Sequence, residues 1–304
     1  MTQCMNALFS MCLLLVLCSP VVSRAALRLE QTPQKGLITG TVVDAGTGET
    51  IGYASVGVVE TETGTIADEE GSFSLTVPEA HFGKTLRISA IGYTPKDVKV
   101  DDLITQTTRE KRVKVSLTAT PVALPEVQVN ASTWKKKLMG GKLGTQTKFT
   151  HSFIIYPRPL PANFGREIGI QIGNGSHLSF LNEMNFYLHT NKYEEVLFRV
   201  NVYYLKNGKP ARNLLPEPIY VSVEDRKTGW IKVDLEPYNL YVEEDFVISL
   251  EWIDCYPRTH SQQLSLSASL PGLQTTLFKD ASQSKWTKVP AVSMGMNVVL
   301  QQKE

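Results

Sequence analysis

The residues most able to do chemistry are five histidines, at positions 81, 151, 177, 189 and 260, and several acidic clusters. A zinc hydrolase needs a His-x-x-Glu pair and a distant histidine, so that three ligands leave one coordination position open. None of His81, His151, His177, His189 or His260 has a Glu three positions later, and neither His-Glu-x-x-His nor Gly-x-Ser-x-Gly occurs. Glu243-Glu244-Asp245, and Glu251 with Asp254, offer carboxylate pairs for general acid–base work. Such clusters more commonly serve as solvated edges or turn caps. Asp68-Glu69-Glu70-Gly71 lacks the alternate-position spacing of a calcium loop, whereas Asp first and Gly fourth suit a type I turn. Cys4, Cys12 and Cys18 fall in an apolar leader, which leaves Cys255 alone and predicts a buried, inert thiol with no intramolecular disulfide. No catalytic, metal or cofactor residue is therefore assigned, and an enzyme is not expected.

The elements around these residues read as strands. Side chains alternate faces along a strand, so parity shows which ones share a core. Ile38, Gly40 and Val42 point one way, as do Ala54, Val56 and Val58, then Phe73, Leu75 and Val77, then Leu86, Ile88 and Ala90. Val98 with Val100, and Val113, Val115 and Leu117, continue the pattern. Six or seven short strands separated by glycine-bearing turns predict an antiparallel sandwich.

The order of these pieces carries a resemblance. Gly36-Leu-Ile-Thr-Gly-Thr-Val-Val-Asp44, Thr47-Gly48, Ala54-Ser-Val56, Gly64-Thr65 through Asp68, Gly71, Phe73 and Leu75, then Ile91-Gly-Tyr93, together resemble the carboxypeptidase regulatory-like domain over residues 36–117. The resemblance implies a seven-stranded, transthyretin-like Greek-key sandwich that is itself non-catalytic and serves as a folding or interaction module. In that family the domain accompanies metallocarboxypeptidases and precedes the plug of TonB-dependent outer-membrane transporters. The 174 residues after Asn130 (304 minus 130) are too few for the transporter barrel, so transport is not expected of this chain.

The expected organisation is a signal peptide at 1–25, the first sandwich at 36–118, a linker at 119–148 and a larger jelly-roll-like sandwich at 149–304. The linker expectation rests on Pro121, Pro125, the Lys135–Lys137 run and Gly140-Gly141, a composition that favours a solvated connector. Beyond it, Ile168, Ile170 and Ile172 share a face, as do Val196, Phe198, Val200 and Val202, then Phe246, Ile248, Leu250 and Trp252. Asn207-Gly208 is a strong hairpin signal. Eight to ten strands and no helix are predicted there. In the same register Tyr187 falls with Asn185 and His189, Tyr203 with Arg199 and Asn201, Tyr220 with Ser222 and Glu224, and Trp230 with Lys232 and Asp234, all facing away from the core. Such aromatics suit a protein interface or a sugar-binding face, and equally suit packing against a loop or the neighbouring domain.

Ala7–Cys18 is apolar apart from Ser10, the length of a secretory h-region, and Ser23-Arg24-Ala25 offers a cleavage site. Without Arg24, the chain has 30 basic and 30 acidic residues, so no global field draws it to nucleic acid or to an anionic membrane. The expectation is an exported protein of a bacterial periplasm, outer membrane or cell surface, with membrane association only through a partner. It would act as a structural or protein-interaction module on an envelope protein. A carbohydrate-binding accessory protein on a surface glycan is the alternative, and a hydrolase of unknown substrate the second alternative.

Overall fold

The computed structural model describes residues 35–120, 133–142, 147–258 and 262–303. The leader at 1–25 and its three cysteines lie outside them. Residues 34–304 form one compact unit.

The first sandwich comprises β1 (Lys35–Asp44), β2 (Ser55–Val58), β3 (Gly64–Ile66), β4 (Ser72–Pro78), β5 (Thr85–Ser89), β6 (Tyr93–Thr94), β7 (Lys96–Lys99), α1 (Val100–Glu110) and β8 (Val113–Ala119). One four-stranded sheet runs β4-β1-β8-β6 and the other β3-β2-β5-β7, eight strands where seven were expected. The antiparallel expectation fails at β1 and β8, which pair in parallel from Gly40↔Val113 to Asp44↔Leu117 because helix α1 returns the chain to the same end of the sheet. Ile38, Val42, Phe73 and Val115 from one meet Val56, Leu86 and Ile88 from the other in a single apolar core, the face that parity predicted. The Asp68 turn closes as expected: Asp68 O accepts from Gly71 N and Asp68 Oδ1 from Ser72 N.

Val100 departs from the strand reading, because it opens helix α1. Val100, Leu103 and Thr107 are the buried positions, a helical spacing. Asp101 and Asp102 sit in its first turn and Arg109 in its last, where each charge complements the helix dipole. The run of threonines, poor helix formers, hid this periodicity.

The second sandwich is built from β9 (Trp134–Gly140), β10 (Phe149–Ser152), β11 (Glu167–Ile172), β12 (Ser179–Asn191), β13 (Glu195–Lys206), β14 (Lys209–Asn213), β15 (Ile219–Glu224), β16 (Gly229–Asp234) and β17 (Tyr241–Val242). It continues through β18 (Phe246–Tyr256), β19 (Leu264–Ser269), β20 (Thr276–Lys279), β21 (Thr287–Val289), β22 (Ser293–Met294) and β23 (Met296–Lys303). An eight-stranded sheet follows β10-β19-β12-β23-β9, with β16 and β17 on β12 and β22 on β19. A seven-stranded sheet follows β14-β13-β18-β11-β20-β21, with β15 on β13. Ile170, Phe198 and Trp252 of the second sheet pack on Met184, Phe186 and Leu266 of the first, and the Phe186 and Phe198 rings lie 5.6 Å apart. The extra strands beyond the expected eight to ten are mostly two- to four-residue edge pieces.

The linker at 119–148 needs correction. Lys135–Lys137 belong to β9, which pairs with β23 from Asn297↔Gly140 to Lys303↔Trp134. The lysines are exposed and occupy a sheet edge, where their charge discourages pairing with a further chain. The Asn207-Gly208 hairpin is present between β13 and β14, with both residues at positive φ (54° and 71°), as a two-residue turn matching strand twist requires.

Candidate functional site

The outward face of the seven-stranded sheet carries the densest polar chemistry among the described residues. Across three neighbouring strands, Arg199 of β13 lies opposite Glu251 of β18, and Glu251 lies opposite Glu167 of β11. Asn201 likewise lies opposite Ser249. Alternation that sends Ile168, Phe198, Val200, Leu250 and Trp252 into the core necessarily presents these residues on the other side. All five are nonetheless buried.

Two carboxylates side by side and out of water are tolerable only if each is paired and hydrogen-bonded. Arg199 donates to Glu251 Oε2 from Nε (3.1 Å) and Nη2 (2.8 Å). Asn201 Nδ2 bridges the two acids, at 3.0 Å from Glu167 Oε1 and 3.1 Å from Glu251 Oε2. Lys279 Nζ pairs with Glu167 Oε2, the Tyr203 hydroxyl donates to the same oxygen at 3.3 Å, and Ser249 Oγ donates to Oε1. Burial by itself would raise the Glu251 carboxyl; Arg199 and then Lys279 outweigh it and hold the group below the usual carboxylate range. Burial, then the Glu167 and Glu251 charges, push the Tyr203 hydroxyl well above its ordinary value, so it remains a donor. Glu251 therefore suits the role of a fixed anion better than that of a proton donor near neutral pH.

The first sandwich closes over part of this face. Arg199 Nη1 donates to Tyr53 O and Nη2 to Ser55 Oγ, each at 2.9 Å. The Tyr53 and Tyr220 rings meet edge-on at 5.2 Å, and Ile66 joins the core of the second sandwich. Glu60 N donates to Gln283 O and Gln283 Nε2 to Ser89 Oγ. Gly57 and Gly64 admit the Ser282 carbonyl: a Cβ at either would stand 2.2 or 2.5 Å from Ser282 O. The proline-rich stretch after Phe153 adds to the seam, with Arg158 paired to Glu62 and Thr65 Oγ1 donating to Pro161 O at 3.4 Å.

Where the sandwiches diverge, a cleft of about 1230 Å³ remains, with Arg199, Asn201 and Glu251 among its lining residues. Trp286 and Tyr203 stand in its wall with ring centroids 5.5 Å apart, and Lys279 Nζ lies 4.8 Å from the Trp286 centroid. Ser89, Tyr93, Asn213 and Gln283 add hydroxyl and amide groups.

The four aromatics singled out in the sequence do not form one face. Tyr187 of β12 and Trp230 of β16 are cross-strand partners on the eight-stranded sheet, with rings 5.5 Å apart. Trp230 is 40% exposed, but Tyr187 is buried. Tyr220 is partly buried in the seam against Tyr53, and of the four only Tyr203 lines the cleft. Sequence parity placed Arg199, Asn201 and Tyr203 together correctly. It missed Glu167, Ser249, Lys279 and Trp286, which come from other strands and loops, although alternation already turned Glu167, Ser249 and Glu251 outward. Of the remaining acidic candidates, Asp254 pairs with Arg258 and Asp245 Oδ1 accepts from Gly175 N, while Glu243 and Glu244 are exposed. Cys255 is buried, and desolvation raises its thiol to about 12.

This architecture defines an all-β protein of two sandwiches in one body, with a polar cleft between them. Residues 38–129, which include the first sandwich, match the family model of the CarboxypepD_reg-like domain, as the sequence resemblance anticipated. No curated protein matches the chain. Among solved structures the chain is similar to the cysteine protease and lectin-like domains of Cwp84, a surface layer associated protein of Clostridium difficile. That similarity has 12% identity and a TM-score of 0.34, over 45% of this chain and 32% of that one, so the chain spans about a third of that relative's length. A second similarity, to a structure of infectious bursal disease virus Gt strain, has 10% identity and a TM-score of 0.21 over 88% of this chain and 77% of that one.

Proposed function

We propose that this chain is an exported, non-enzymatic recognition module of a bacterial cell envelope, which binds its partner in the cleft between the sandwiches. The observation that carries this reading is the cleft floor. Its two carboxylates are consumed by Arg199, Lys279, Asn201 and Ser249. A hydrolytic pair needs one carboxyl free to protonate and one free to attack or to activate water. A binding surface needs what is present here: a rigid floor and an aromatic wall. The first sandwich supplies the other wall and, through Arg199, fixes its position.

Capture from an envelope fraction with the tagged chain tests the reading. Wild type is expected to retain one defined envelope component, read by both protein and carbohydrate staining, and Trp286→Ala to lose it while keeping the wild-type melting profile within a few degrees. Equal capture by both proteins would remove the cleft from the mechanism.

A further inference from the structure

The charges around the cleft do not balance. Six cations line it, Arg87, Arg199, Lys209, Arg212, Lys279 and Lys285. Four have their own carboxylate: Arg87 pairs with Asp97, Arg199 with Glu251, Lys279 with Glu167 and Lys285 with Glu60. Lys209 and Arg212, both exposed on β14, make no side-chain hydrogen bond or ion pair among the described residues. Two uncompensated positive charges therefore sit at the mouth of one cleft in a chain whose total charge is only +1. A concave surface with low-dielectric walls focuses such a charge on whatever enters.

The same cleft has features that suit a sugar ring. The half-buried Trp286 indole provides a flat apolar surface. Gln283 Nε2 already donates to Ser89 Oγ, and the Asn213 amide is held by Asn201 and Leu215, which leaves the Gln283 amide oxygen and the Ser89 hydroxyl proton as directional groups for a sugar hydroxyl. Its volume, about 1230 Å³, exceeds the roughly 300–1,000 Å³ usual for a single small molecule and favours an oligomer. Resting on the recognition reading above, we propose that the ligand is an acidic oligosaccharide. One pyranose lies against Trp286, and carboxylates on neighbouring sugars face Lys209 and Arg212. An acidic peptide shares the charge but makes no specific use of the indole.

Isothermal titration of the whole chain tests this, with a panel of uronic- and sialic-acid oligosaccharides, their methyl esters and a tetraglutamate peptide. At least one acidic oligosaccharide is expected to bind, with its methyl ester roughly tenfold weaker or worse. The double variant Lys209→Ala/Arg212→Ala weakens the acidic ligand by about tenfold, leaves the ester unchanged, and flattens the salt dependence. Trp286→Ala weakens both. Esters binding as tightly as acids, or indifference to the double variant, overturns the inference while leaving the cleft as a binding site. Tetraglutamate binding more tightly than any saccharide overturns it in favour of a peptide, and silence from every probe overturns it outright. The recognition reading fails separately, when the envelope partner is captured equally by Trp286→Ala.

Discussion

Replacing Arg199 by methionine keeps most of the side-chain volume and removes the charge that joins the two sandwiches. Arg199 is 4% exposed, and its guanidinium makes four bonds: two to Glu251 Oε2, one to Tyr53 O and one to Ser55 Oγ. Its loss leaves a carboxylate that is 3% exposed facing only Lys279 and Asn201, together with an unsatisfied carbonyl at the seam. Breaking a buried pair in this way costs about 3–5 kcal/mol. At about 2–4 °C per kcal/mol for a chain of this size, the melting temperature should fall by about 6–20 °C. The pH dependence identifies the cause. In the wild type the Glu251 carboxyl lies below its unfolded value, so its contribution is present above that value, near 4.5, and is lost as pH falls through the folded one. In the variant the isolated carboxylate is the liability, so the deficit relative to wild type should shrink as pH drops from 7 toward 4.5. Differential scanning calorimetry at pH 7.5, 6 and 5 on wild type, Arg199→Met, Glu251→Gln and the double variant would measure this. A deficit under about 1 kcal/mol at pH 7.5, or a double variant no more stable than Arg199→Met, would refute the argument that an unpaired Glu251 dominates.

The packing implies three further outcomes. Gly57→Ala places a methyl group 2.2 Å from Ser282 O and should destabilise by about 1–3 kcal/mol, with faster amide exchange around Ser282 to Ser284 read by mass spectrometry; unchanged exchange would mean that the seam yields freely. With its thiol raised to about 12, Cys255 should resist iodoacetamide at pH 8 in the native protein and react fully in guanidinium, and rapid native labelling would contradict its burial. Desolvation, with the Arg166 charge adding to it, holds His151 at about 4, so it folds neutral. The stability it contributes is present above its unfolded value of 6.5 and lost as pH falls from there toward 4; His151→Gln should flatten that part of the stability curve, and an unchanged slope would exclude His151 as its source.

How much the sequence showed depended on whether the signal was local. Period-two alternation is written residue by residue, so the inward faces of β1, β4, β11, β13 and β18 could all be read directly, and so could the Asp68 turn and the Asn207-Gly208 hairpin. Helix α1 carried a legible spacing at Val100, Leu103 and Thr107, but weak propensity obscured it. The Lys135–Lys137 run has the composition of a linker. It becomes β9 because an edge strand needs only backbone partners, and β23 supplies them from the far end of the chain. Parity placed Tyr187, Tyr203, Tyr220 and Trp230 opposite the core without saying what covers that side.

The chain alone therefore determined that this protein is made of two stacked-sheet modules, that the first resembles a known one, and which side chains fill each interior. Only the tertiary structure decided that the modules lock together, that Glu167 and Glu251 stand side by side beneath Arg199 and Lys279, and that Trp286 and Lys209 share a cleft. Alternation fixes the side of a strand on which a residue lies, but strand order and docking bring residues together across separations such as the 144 positions between Ser55 and Arg199. No short-range pattern encodes those pairings; burial of the two cores and the cost of unpaired buried charge select them together.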